Sequence, residues 1–190
     1  KIDVAGNFIW KKNIGGSNSD LLWDVIQTND GNFIATGGST SIDGDLTGVA
    51  FNNTKMTWLI KFDAAGTILW QKKIGGTGTQ VGTLIKESPN GELNIFATCS
   101  ANNLDIQTHY GTTNTSDIVY FRLSSTGNLL DQRTYGGSED ERISGVTPTN
   151  DGGFVVLATS YSNDHDISQH IGTTSDYNAW VFKIDANKNI

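Results

Sequence analysis

Residues 56–62 alternate in character. Trp58, Ile60 and Phe62 fall on one side of an extended chain, and Leu59 and Lys61 on the other. The same alternation returns at Val119, Phe121 and Leu123, and again at Trp180, Phe182 and Ile184. A period of two is the mark of a strand, because successive side chains leave opposite faces of the pleat. Shorter apolar stretches flank the first of these runs, at 22–28, at 33–39 (Phe33, Ala35 and Gly37 on one face) and at 68–74. Asp30-Gly31 stands between the first two and predicts a two-residue type I′ turn, in which both residues take positive φ. No segment holds an apolar stripe at 3.6-residue spacing, so almost no helix is expected. Each unit reads as four short strands.

The unit recurs. Lys1-Ile-Asp-Val-Ala-Gly-Asn-Phe8 returns as Lys61-Phe-Asp-Ala-Ala-Gly-Thr-Ile68, as Arg122-Leu-Ser-Ser-Thr-Gly-Asn-Leu129 and as Lys183-Ile-Asp-Ala-Asn-Lys-Asn-Ile190, at offsets of 60, 61 and 61. Other landmarks keep phase: Gly15-Gly16 with Gly75-Gly76 and Gly136-Gly137, and Asp45 with Asp105 and Asp166. A tandem period of this length, with four strands per copy, fits the blades of a β-propeller. The expected fold is all-β, with blades at approximately 15–74, 75–135 and 136–190. Residues 7–14 would be the fourth strand of a preceding or closing blade. Propellers have about 4–8 blades. Three blades therefore imply either a slice of a longer array or two chains closing one ring, and the former is the favoured expectation.

Lys61-Phe-Asp-Ala-Ala-Gly-Thr-Ile-Leu-Trp70 resembles the strand–turn–strand of quinoprotein-like propellers. Trp10 through Trp70 is more similar still to the tandem propeller repeats of large secreted and cell-surface proteins of Bacteroidota. The later copies depart from that pattern: Asn103-Leu104-Asp105 and Asp164-His165-Asp166 replace Asp43-Gly44-Asp45, and Asp131 takes the Trp place. The resemblance implies a propeller and an extracytoplasmic, bacterial setting, and it implies little about activity.

In a blade, the loop between second and third strands shares a face with the interblade loop. Here that face carries the long loops, roughly 40–56, 100–116 and 161–177, and the Gly-Gly loops. It also collects acid, and Asp20, Asp117, Glu141 and Asp176, with Trp23 on an innermost strand, are the candidate binding-face residues. Each long loop opens with an oxygen-rich rhythm, Ser41-x-Asp43-x-Asp45 and its copies. Asp43, Asp45, Asp105, Asp164 and Asp166 are candidate calcium ligands if backbone carbonyls and water complete the shell. The competing reading is that these side chains build turns by accepting nearby amides. His109 and His170 occupy equivalent places on neighbouring blades, too far apart for one zinc ion, and read as loop packing.

Composition narrows the function. With 13 Lys+Arg against 20 Asp+Glu, the net charge of −7 argues against a phosphate-backbone binder. The single Cys99 supports no intrachain disulfide. No apolar run approaches the roughly 20 residues of a membrane-spanning helix. There is no G-x-S-x-G elbow and no H-E-x-x-H, and the pair Glu139/Glu141 reads as an acidic strip rather than a glycosidase couple. The expectation is a non-catalytic binding or scaffold module that presents acidic loops to a protein or glycan. The alternatives are a purely structural spacer and a carbohydrate-active propeller enzyme.

Overall fold

The computed structural model describes residues 1–49, 55–78, 80–173 and 175–190, with the backbone alone at 80, 81 and 83. Parts of the first and third long loops (50–54 and 174) and residue 79, which follows the second Gly-Gly loop, thus lie outside the described residues. The strands are β1 (Asp20–Gln27), β2 (Phe33–Ser39), β3 (Met56–Phe62), β4 (Ile68–Ile74), β5 (Gln80–Glu87), β6 (Leu93–Cys99), β7 (Asp117–Leu123), β8 (Leu129–Tyr135), β9 (Glu141–Pro148), β10 (Phe154–Ser160) and β11 (Asn178–Ile184). They form three antiparallel sheets in chain order, β1-β2-β3-β4, β5-β6-β7-β8 and β9-β10-β11. A single 3₁₀ turn at Gly44–Leu46 is the only helical element among the described residues. The all-β expectation, four strands to the unit, holds for the first two sheets, and the third has three strands.

The tight turns differ from the type I′ expectation. Gly31 N–H donates to Thr28 O at 2.8 Å and Thr28 N–H to Asn32 O at 2.9 Å. Only Gly31 has positive φ, at 82°. This is a three-residue connection, a type I turn closed by one left-handed residue. The longer turn lets Asp30 Oδ1 accept from both Thr28 Oγ1 (2.6 Å) and Asn32 N–H (3.1 Å). Gly66, Gly91, Gly127 and Gly152 close the same turn elsewhere.

The sheets stack through apolar layers. Ile34, Leu59 and Ile74 of the first sheet meet Ile85, Ile95, Val119 and Phe121 of the second. Phe96, Ile118 and Tyr120 on the second sheet's other face meet Phe154, Val156 and Phe182 of the third. The first strand of every sheet carries a bulge, at Trp23, residue 83 and Ser144, which are equivalent repeat positions.

Residues 7–14 form no ladder; Ile2 and Phe8 make one isolated bridge. Yet Trp10 lies against Gly66 and Lys12 Nζ donates to Gly66 O at 2.6 Å. One repeat on, Trp70 of β4 lies against Gly127 and Lys72 Nζ donates to Gly127 O at 2.6 Å. The segment therefore rests on the first sheet as β4 rests on the second, without neighbours to pair with.

Candidate functional site

At the long-loop end of the sheets, one clamp is built three times. Asp45 Oδ2 accepts Gly15 N–H (3.0 Å) and Asp45 N–H donates to Gly15 O (3.0 Å). Asp105 does the same with Gly75 (2.9 and 3.1 Å), and Asp166 with Gly136 (3.1 and 3.1 Å). Two residues earlier, Asp43, Asn103 and Asp164 accept the amides of Ser17, Thr77 and Ser138 at 2.7–2.8 Å. Those amide bonds hold the Asp43 and Asp164 carboxyls below the usual carboxylate range. Gly16 admits no side chain, since a Cβ there would lie 2.6 Å from Asp43 O and 2.7 Å from Ser41 Cβ. The Gly-Gly pair is thus a matter of close approach between two loops.

This geometry bears on the calcium candidates. Asp43, Asp45, Asp105, Asp164 and Asp166 each direct an oxygen at a backbone amide. Among the described residues no three His, Cys, Asp or Glu side chains converge as a cation cage. The side chains accept amides, as the competing reading has it, but those amides belong to the Gly-Gly loop 26–30 residues away rather than to their own turn.

The candidate binding-face residues separate into distinct environments. Asp20 turns inward and accepts from Gly16 N–H (2.8 Å), Ser39 Oγ (2.5 Å) and Ser41 Oγ (2.8 Å). Burial opposes its ionisation, but these bonds and the charge of Lys73 prevail and lower its pKa. Glu141 holds the equivalent place in the third sheet, taking Ser160 Oγ at 2.6 Å and Gly137 N–H at 2.8 Å. Asp117 and Glu141 are 0 % exposed, so neither belongs to an open face. Strand alternation explains this for Glu141: it enters β9 facing inward while Glu139, in the preceding loop, stays exposed, and the two do not form a carboxylate couple. Asp176 is exposed, with Thr173 Oγ1 donating to it at 3.1 Å. Trp23 is 58 % exposed on its bulge. It shares an apolar hollow of about 310 Å³ with Leu22, Val25, Trp10 and Ile14.

Sequence reasoning missed a buried acid group where the second and third sheets meet. Asp117 Oδ2 accepts Tyr110 N–H at 2.6 Å and lies 2.7 Å from His109 Nδ1. The other edge of His109 is held by Nε2 at 2.7 Å from Thr112 O. Asp117 Oδ1 and Glu141 Oε2 both crowd Gly136, where a Cβ would overlap them. Two carboxylate oxygens cannot hydrogen-bond unless one carries a proton. Burial, with the neighbouring charges of Glu141 and Asp166, pushes Asp117 up to about 8, and burial raises Glu141 as well. Two carboxyls from different sheets thus meet in a buried site that disfavours a second negative charge. The repeat offers one clue: Asn178, at Asp117's place in the third sheet, bonds the same loop position, Ile171 N–H, at 2.6 Å. An acid where an amide serves equally well signals a second partner.

His170 repeats the His109 contact, with Nε2 at 2.8 Å from Thr173 O, so both histidines brace their own loops. Around the third loop a shallow cleft of about 400 Å³ lies between Ile171, Tyr177 and Trp180. Ile171 is 75 % and Tyr177 64 % exposed there.

No protein-family model matches the chain, and a search of curated proteins finds no match either.

Proposed function

We propose that this chain is a run of β-propeller blades serving as a non-catalytic binding or scaffold module of a secreted or surface-exposed bacterial protein, with its long loops turned to a protein or glycan. The observation that carries the reading is the triple clamp. Each long loop is tied at its base to the Gly-Gly loop by the same aspartate bonds, while beyond the clamp the first loop differs in sequence from the other two, and those two, which share His-x-Gly-Thr-Thr, differ at most of their remaining positions. A rigid, repeated base bearing divergent loops is the arrangement of a recognition surface. Exposed apolar side chains of the third long loop, Ile171 and Tyr177, supply the contact area such surfaces use.

The propeller reading draws support from the two outer sheets. Val25 is 55 % exposed on the first sheet, whereas its counterpart Ile85 in the middle sheet is 0 % exposed. Val181 is 62 % exposed on the third, whereas Leu59 and Tyr120 at the same position are 0 % exposed. Further sheets of the same repeat, from a longer chain or a second subunit, would cover both faces as the middle sheet covers its neighbours.

The test is binding of the 190-residue protein to arrays of glycans and of extracellular proteins, repeated with residues 170–177 replaced by a Gly-Ser linker. Specific binding that the loop replacement removes, and that Asp63→Ala on the opposite turns leaves intact, is the expected result. Absence of any binding would favour the spacer. Turnover of a bound glycan would favour the enzyme.

A further inference from the structure

The junctions between sheets are built from equivalent positions, and one of them has changed character. Between the first and second sheets, Ile34, Leu59, Trp70, Ile74 and Gly127 make an apolar contact, with the Trp70 ring on Gly127. Between the second and third, the same five positions are Asn94, Tyr120, Asp131, Tyr135 and Lys188. All five changes are toward polarity, and they are mutually adjacent. Tyr120 Oη donates to Asn94 Oδ1 at 2.7 Å, and Tyr135 Oη to Lys188 O at 2.8 Å. With Asp131 in the Trp place, nothing fills the space. A polar cavity of about 450 Å³ opens at the tight-turn end of the sheets, remote from the long loops. That volume lies within the range of small-molecule sites.

The charges in it do not balance. Arg122, Arg133 and Lys188 line the cavity against Glu92 and Asp131, leaving one net positive charge in a chain whose own balance is −7. Arg122 is tied to Glu92 at 3.2 Å. Neither Arg133 nor Lys188 has a carboxylate within ion-pair distance among the described residues. Lys188 is 8 % exposed, with Nζ on Gly152 O at 3.2 Å and over the rings of Phe154 (5.0 Å) and Tyr120 (5.7 Å). Burial first, and then the Arg122 charge, lower its pKa. It also sits at φ 68°, where the equivalent turns use Gly66 and Gly127. A lysine held in a left-handed turn, buried, with Asp185, Asp131 and Glu92 acting on its charge only from beyond ion-pair distance, is a costly choice that structure alone does not require.

We propose that this cavity binds a small polyhydroxy carboxylate of the uronic-acid type. One carboxylate neutralises the surplus charge on Lys188 and Arg133, and Glu92, Asp131 and Asn187 accept or donate to ligand hydroxyls. The site lies at the end of the sheets opposite the clamped loops and is independent of the function proposed for them.

The experiment is titration of the 190-residue protein with glucuronate, glucose and acetate, followed by calorimetry and by NMR shifts. Saturable glucuronate binding is expected, at least tenfold tighter than acetate and with no saturation by glucose. Asp131→Trp combined with Lys188→Gly rebuilds the pair found at the other junction, so it should fold and lose at least tenfold in affinity. Arg133→Gln, a change at an exposed side chain, should weaken binding without moving the melting temperature. Failure of glucuronate to saturate at millimolar concentration overturns the proposal. So does undiminished binding to the folded double variant, or acetate binding as tightly as glucuronate.

Discussion

Raising the pH from 5 to 8 should destabilise this protein, and Asp117 should be the main reason. Its carboxyl is fully buried, faces Glu141, Asp166, His109 and the Tyr110 amide, and is pushed up from 3.8 to about 8. A group whose folded pKa is raised binds more protons in the native state than in the unfolded chain. Its contribution is complete below the unfolded pKa near 4 and is lost as pH climbs through 8. At about 1.4 kcal/mol per unit, the four-unit displacement sets a ceiling of roughly 5–6 kcal/mol. Coupling of Asp117 to the neighbouring Glu141 carboxyl spreads the titration, and about 0.5–1 kcal/mol per pH unit between pH 5 and 7 is the working figure. For a chain of this size that is a fall in melting temperature of roughly 2–8 °C over those two units. Calorimetry at constant ionic strength measures it. Asp117→Asn keeps the Tyr110 contact, as Asn178 keeps Ile171, and offers Glu141 a permanent N–H donor. Its slope should be flatter by about 0.5 kcal/mol per unit or more. A slope unchanged by this substitution, in a folded variant, defeats the assignment of the raised pKa to Asp117.

Below about pH 4 the sign reverses, because Asp30, Asp151 and Asp20 have lowered pKa values and lose their bonds on protonation; a stability maximum near pH 4–5 should appear in the same scans. Gly16→Ala should cost about 2 kcal/mol or more by urea denaturation, since the added Cβ meets Asp43 O, a backbone atom, at 2.6 Å. Gly127→Ala should cost about 1–2 kcal/mol, from its φ of 81° and the Trp70 ring above it. Asp30→Ala breaks the 2.6 Å pair with Lys61, and because Asp30 is half exposed the loss should stay near 1 kcal/mol and shrink in salt. Calcium at millimolar concentration should shift the melting temperature by less than about 1 °C, because the candidate aspartates already hold amides; a shift of several degrees would restore the cation reading.

Strand boundaries were legible because alternation is a local signal, and β2 and β4 run over the stretches read from the sequence, 33–39 and 68–74. The turn class was misread, because Asp30-Gly31 alone does not tell a two-residue loop from a three-residue loop with one left-handed glycine. The aspartate rhythm of the long loops was visible, and so was turn-building as its reading. Its actual partners, amides some 26–30 residues away, were not. Burial of Asp117 and Glu141 was illegible: a carboxylate beside an apolar strand reads as surface until the neighbouring sheet is in place.

The sequence by itself determined the unit, its period, its strands and the end of the sheets at which the long loops lie, because each depends on contacts between near neighbours and on a repeat visible in one dimension. Only the tertiary structure decided which acids point inward, that two of them meet in a buried site between sheets, and that one junction exchanges a tryptophan on glycine for a charged cavity. Those properties arise where residues far apart in the chain meet in a medium that water cannot enter, and there the cost of an unpaired charge, rather than local propensity, sets the outcome.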